Sequence, residues 1–212
     1  MAQTTILRDK VKKHLLFQIH KGNIQIGKTI NLASLSRETG ISVTPIREAL
    51  SQLEQVGIIN AVPNRGFVVA RLTMDEARDL IHTIAQLEVL ALEDAIFENA
   101  DVETLFQLQD KLENVQTIGD GLKILFEFHK TLVGKCRNKV LLNVLDGLKL
   151  RLYFYEHDLV NELAFFEKMG QQTKAIVRAI QEDNLPTAVL ILKMHWMSVL
   201  EYFERMLEVK KG

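Results

Sequence analysis

One cysteine, three prolines and one tryptophan stand in a chain of 212 residues. The lone Cys136 excludes an internal disulfide framework and points to a reducing cytoplasm. With so few prolines, helices can run without interruption. No apolar run approaches bilayer-spanning length, and residues 1–13 lack the apolar core of a secretory signal. The sequence therefore predicts a cytoplasmic protein with no membrane partner. It also has no Gly-rich phosphate loop and no Ser/His/Asp arrangement. Cys136 and His129 are seven residues apart with no orienting third group, so nucleophilic catalysis is not expected and the chain reads as a non-enzyme.

Net charge is almost absent too, at −1, but that value hides an asymmetry. Residues 1–71 carry ten Lys/Arg against four acids, whereas the remainder carries 16 against 23. A basic first third on an acidic remainder fits a nucleic-acid-binding domain joined to a domain with another task.

The basic third is organised around Ser42-Val43-Thr44-Pro45-Ile46-Arg47-Glu48-Ala49-Leu50. Ser42 is a natural N-cap whose hydroxyl can accept from a first-turn N–H, and Pro45 is tolerated in that turn. Ile46, Leu50 and Leu53 share one apolar stripe, leaving Thr44, Arg47 and Ser51 on another face. Upstream, Ile6, Val11, Leu15 and Ile19 mark a helix with Arg8, Lys10, Lys12 and Lys13 on its solvent side, ended by Gly22. Ile24-Gln25-Ile26 alternates as a short strand does. Asn31 caps a helix over 32–39 that Gly40 closes in a left-handed conformation. Ile58 to Val62 and Phe67 to Arg71 predict two strands around the turn Pro63-Asn64-Arg65-Gly66. Two short helices joined by a tight turn and followed by a hairpin suit a helix in the major groove and a wing reaching phosphate or minor groove.

These residues resemble the winged helix-turn-helix of GntR-family transcriptional regulators. Ser42, Thr44, Pro45, Arg47, Glu48, Ala49, Leu50, Leu53, Gly57, Asn64, Arg65 and Gly66 match that pattern, as do Gly22 and Gly27. Val43 stands where an Arg is usual and Ile26 where a Pro is usual. The missing Arg removes a donor for a guanine edge and implies an altered sequence preference. By this resemblance Ser42, Thr44, Pro45, Arg47, Asn64, Arg65 and Gly66 contact DNA.

From residue 73 the spacing is helical to the end. Thr73 with Glu76 reads as a capping box opening a helix to about Asn99. Asp101 caps a second helix to about Val115. Residues 119–135 form a third and Asn138 to about His157 a fourth. A fifth runs over 159–182, with a possible break at Gly170, and a sixth starts at Pro186. The fold class is mainly α: residues 1–72 a winged helix-turn-helix with a small β-hairpin wing, residues 73–212 an all-α bundle. His129 and His195 lie mid-helix among apolar neighbours. Two readings stay open: a shared metal, or core-edge histidines each satisfied by a neighbour.

The order of landmarks in this half (Phe128-His129, Asn138, Ala179-Ile180, Asp183, Ala188, His195) is similar to the FCD effector domain of FadR-type GntR regulators. That resemblance implies a divalent metal, Zn²⁺ or Mn²⁺, anchoring a carboxylate effector. Two ligand positions persist as His129 and His195, a remnant metal site. The other two are Leu125 and Thr173, and an Arg expected before Glu88 is Ile84. Two imidazoles without an acid make a weak site, so the family's metal–carboxylate mechanism is not expected in its usual form. The pocket is thus expected among Ile84, Glu88, Leu125, His129, Arg151, Thr173 and His195, for an apolar effector or an organic acid, or for none. The whole implies a homodimeric repressor on a near-palindromic DNA operator, modulated by a small molecule. The alternatives are a regulator that has lost its effector, or a metal-dependent enzyme or binding protein.

Overall fold

The computed structural model describes residues 9–11, 13–15, 17, 18, 24 and 26–210. The chain divides into two compact units, Met1–Leu72 and Thr73–Gly212. Expectations for Ile6, Arg8, Lys12, Ile19, Gly22 and Gln25 lie outside the described residues.

In the first unit the described residues between 9 and 18 are helical (α1), with Val11 and Leu15 buried. Lys10, expected to be free in solvent, donates to the Thr39 carbonyl at 3.0 Å, at the negative end of the next helix. That helix, α2 (Leu32–Thr39), is capped by the Asn31 side chain on Ser34 N–H and ends at Gly40, φ 70°. Helix α3 (Val43–Gln55) buries Ile46, Ala49, Leu50 and Leu53. Ser42 occupies its N-cap position in extended conformation, but its hydroxyl makes no capping bond, contrary to expectation.

Strands β1 (Ile59–Val62) and β2 (Gly66–Val69) are antiparallel, with Ile59 opposite Val69 and Val62 opposite Gly66. Each is shorter than the sequence suggests. Ile24 and Ile26 are not in a strand. Gly27 turns the chain at φ 77°, and the segment from Gly27 onward meets β2, with a bridge between Thr29 and Val68. The Gly27 and Ile30 N–H groups donate to Val69 and Phe67 carbonyls, and Lys28 O accepts from Val69.

The second unit is helical: α4 (Met74–Glu93), α5 (Asn99–Glu113), α6 (Ile118–Val133), α7 (Lys139–Leu159), α8 (Ala164–Gln181) and α9 (Leu185–Val209). Helix α9 packs along α4 and α8, α5 along α6 and α8, and α7 against α4 and α6. Thr73, Thr117, Asn138 and Asn184 each accept a first-turn N–H. No described helix is long and apolar enough to cross a membrane.

Four details depart from expectation. Helix α4 stops at Glu93, because the Asp94 carboxylate accepts from Arg137 N–H (2.9 Å) and its guanidinium (3.1 Å) and draws the chain aside. Asp101 lies inside α5 rather than capping it, and accepts from the Glu98 N–H at 2.9 Å. The Glu76 carboxylate turns to Arg151 instead of completing a capping box. Helix α8 starts only at Ala164 and continues through Gly170. The helical cost of one glycine, about 1 kcal/mol, is outweighed by burial of Phe165, Phe166, Met169, Ile176 and Val177.

Glu156 is buried in this bundle, and burial pushes its carboxyl up to about 8. The folded state holds it protonated while the unfolded chain ionises near the ordinary value, so stability is lost as pH rises from about 4.5 to about 8. Glu156→Gln removes this dependence. Its stability relative to wild type, measured by urea unfolding, is expected to be unchanged below pH 4.5, to rise by about 1.4 kcal/mol per pH unit across that window, and to level off above it.

Candidate functional site

Two regions hold the residues singled out in the sequence, one in each unit. On the first, burial of Ile46, Leu50 and Leu53 turns Thr44, Arg47 and Ser51 outward, and Val43 is exposed beside them. With the Ser42 hydroxyl not engaged, the first-turn N–H groups of α3 keep their positive end without a side-chain cap. That combination suits contact with an anionic backbone.

The hairpin tip presents Pro63, Asn64, Arg65 and Gly66, all exposed. Asn64 takes a left-handed φ of 61° and Gly66 one of 79°, and Arg65 N–H closes the turn on Val62 O at 3.1 Å. The hairpin is tied to α3 by a contact the sequence did not suggest: Glu54 Oε1 accepts from Ala61 N–H at 2.9 Å. Among the described residues neither Arg47 nor Arg65 pairs with a carboxylate. Both guanidiniums are therefore available.

In the second unit six of the seven expected pocket residues are buried: Ile84, Glu88, Leu125, His129, Thr173 and His195. Arg151 is not with them; it pairs with Glu76. Glu88 on α4 is fully buried and is linked to His129 and, through it, to His195. His129 Nδ1 lies 2.8 Å from Glu88 Oε2, and Trp196 Nε1–H donates to the same oxygen at 2.8 Å. The Lys149 ammonium pairs with Oε1 and also donates to the His129 carbonyl at 3.1 Å. Across the core, His129 Nε2 and His195 Nε2 are 3.0 Å apart, one carrying the shared proton. Thr173 donates to the Gly170 carbonyl at 3.0 Å.

Burial alone would raise Glu88, but the charges of His129 and Lys149 and their hydrogen bonds overcome it and hold the carboxyl at about 2. Glu88 is therefore ionised at any ordinary pH. Burial, reinforced by His129 and opposed by Glu88, pushes His195 well below the usual histidine range, so it stays neutral.

Lys149 and Trp196 complete this network, and sequence reasoning missed both roles. The signal for Lys149 was there: it lies between Leu145 and Leu152 at helical spacing, a lysine inside an apolar stripe. Trp196 carries no such signal: beside Met194 and Met197 it reads as helical core or a dimer contact.

A cavity around the expected pocket residues is not what the described cavities show. One of about 690 Å³ is lined by Ile96, Phe97, Phe106, Ile180 and Leu185 with Glu103 and Asp183. Another of about 430 Å³ includes Phe165, Met169, Ser198 and Tyr202. None of the seven residues lines either: six are buried in the bundle interior and Arg151 is drawn to Glu76.

The fit of the implied divalent metal can be judged from the donors present. His129 Nδ1 is committed to Glu88, Thr173 to Gly170, and Leu125 is aliphatic. Two imidazoles bonded to each other remain, and among the described residues no group of three His, Cys, Asp or Glu is arranged to hold an ion. This donor set does not fit Zn²⁺ or Mn²⁺.

Two family models match the chain: bacterial regulatory proteins, gntR family, over residues 7–69, and the FCD domain over residues 79–198. The chain is 27% identical over 202 residues to an uncharacterized HTH-type transcriptional regulator, YdhC, of Bacillus subtilis, covering 91% of this chain and 89% of that one. It is 26% identical to the Nta operon transcriptional regulator of Aminobacter aminovorans, covering 88% of each. Its fold is similar to that of McbR/YncC from E. coli, with a TM-score of 0.79 at 20% identity over 94% of this chain and 97% of that one.

Trp196→Phe keeps an aromatic ring in the core and deletes one donor to Glu88. Removing a hydrogen bond to a buried charge is expected to cost about 1.5–3 kcal/mol, read by urea unfolding followed by circular dichroism.

Proposed function

Since the chain belongs to the GntR family of bacterial regulatory proteins with an FCD domain, we propose that it represses transcription as a homodimer on a near-palindromic operator. That it is a DNA-binding transcriptional regulator with an effector domain follows from the family. The dimer, the operator symmetry, the repressor sign and the cytoplasmic setting are parts of the proposal. Two copies of α3 would then enter successive major grooves about one helical turn apart.

The observation that carries this reading is the outward face of α3 next to the fixed hairpin. Thr44 and the uncapped first turn face a base edge or phosphate, with Ser42 and Pro45 shaping that turn. Arg47 and Arg65 neutralise phosphates, and Asn64 and Gly66 set the wing tip that carries Arg65. Val43 supplies no hydrogen bond to a base, so its contribution is limited to apolar contact, for instance with a thymine methyl.

A small molecule in the bundle changes the arrangement of the two heads and so the affinity for operator. A second reading, regulation without an effector, is favoured by one observation: six of the seven expected pocket residues are packed into the core. A thermal-shift screen with organic acids, acyl thioesters and aromatic acids separates the two, because a true effector raises the melting temperature by mass action. An enzymatic role has no support in the site: Cys136 Sγ faces Asp94, and His129 is held between Glu88 and His195.

The direct test is fluorescence anisotropy with DNA flanking the protein's own gene, across a salt series. Wild type is expected to prefer one fragment over random DNA, with affinity falling steeply as salt rises. Arg47→Ala should weaken binding at least about tenfold and flatten the log–log salt slope by about 0.9 for each phosphate that is no longer neutralised. Equal binding to specific and random fragments, or undiminished binding by Arg47→Ala, would remove the basis for this reading.

A further inference from the structure

Within the second unit, the charge that stands out is a lysine beside the remnant of the metal site that the resemblance implies. Lys149 is 5% exposed, on the face of α7 turned into the bundle. Its ammonium meets two acceptors, Glu88 Oε1 and the His129 carbonyl. An ammonium taken out of water is tolerated only when so paired.

We infer that Lys149 is the bundle's built-in cation: it neutralises Glu88 and thereby holds His129 against His195, so that the position implied for a divalent metal is closed by an all-protein network. Two opposed effects meet here. A carboxylate on the far nitrogen of a histidine makes that histidine a better metal ligand. Glu88 is placed to do this for His129, but Lys149 already balances its charge. The Lys149 ammonium also adds a like charge close to any dication that would bind. With Leu125 and Thr173 in place of ligating side chains, nothing compensates. The cation prevails over the metal.

The inference is independent of DNA binding and is tested on the full-length protein expressed in medium supplemented with zinc and manganese. Metal content by plasma mass spectrometry is expected to be below about 0.1 equivalent. Zn²⁺, Mn²⁺ and EDTA should each leave the melting temperature within about 1 °C. About one equivalent of metal that disappears in His195→Ala would overturn the inference.

The role of Lys149 is read separately. Lys149→Met leaves Glu88 buried without its cation, and the melting temperature should fall by about 10 °C or the protein should fail to fold. The double variant Glu88→Gln/Lys149→Met removes both charges and should recover more than half of that loss. A Lys149→Met protein as stable as wild type, or a double variant no better than the single one, would show that Lys149 is not the balancing charge.

Discussion

A carboxylate sealed from water is tolerable in a small bundle only when both its oxygens meet donors. Left unpaired there, such a group either stays protonated, as Glu156 does, or costs about 3–5 kcal/mol, a large share of a domain's stability. Glu88 meets this condition with donors from three other helices: His129 on α6, Lys149 on α7 and Trp196 on α9. The helices of the second unit must therefore approach α4 in one particular arrangement for the charge to be satisfied. Apolar burial by Ile84, Leu125, Phe128, Leu192 and Val199 supplies the driving force for collapse. The polar network selects one packing among the many that apolar burial alone would allow.

The same logic sets the position of α7. Lys149 and Arg151 are two residues apart, yet they pair with Glu88 and Glu76, which are 12 residues apart on α4. That separation is about 18 Å along a helix, so α7 crosses α4 between the two carboxylates with its two cations reaching in opposite directions. Arg78 adds a third tie, to Glu204 on α9 at 2.5 Å, but both partners are substantially exposed and the pair contributes little. The buried pair is the one that fixes geometry.

What could be read in the sequence was what is decided locally. Asn31 and Thr73 cap the helices they precede because each bond spans three residues. Ile46, Leu50 and Leu53 face the core because their spacing leaves no alternative. The failures came where a distant partner won. Asp94 ends α4 early because of Arg137, 43 residues on, and Glu76 leaves its capping box for Arg151. For the cluster, Glu88 and both histidines were identified as belonging together, but their meaning changed with Lys149, which lies 61 residues from Glu88 in the chain. A lone lysine in an apolar stripe signals that it has a buried partner; it does not say which.

The two units handle polar groups in opposite ways, and each suits its task. At the start of α3 the Ser42 hydroxyl leaves the helix uncapped, forgoing about 1 kcal/mol of stability and keeping donors open toward a phosphate. In the bundle every charged group near Glu88 is consumed by another. A ligand entering that core would have to replace bonds already made, so it could shift α4 only by binding the displaced arrangement more tightly than the held one. A carboxylate ligand would compete with Glu88 for Lys149 and leave one anion without its cation. A neutral ligand would leave the Glu88–Lys149 pair intact. On electrostatic grounds alone, the interior of this bundle favours neutral, apolar chemistry over the organic acids that a metal or a free arginine would attract.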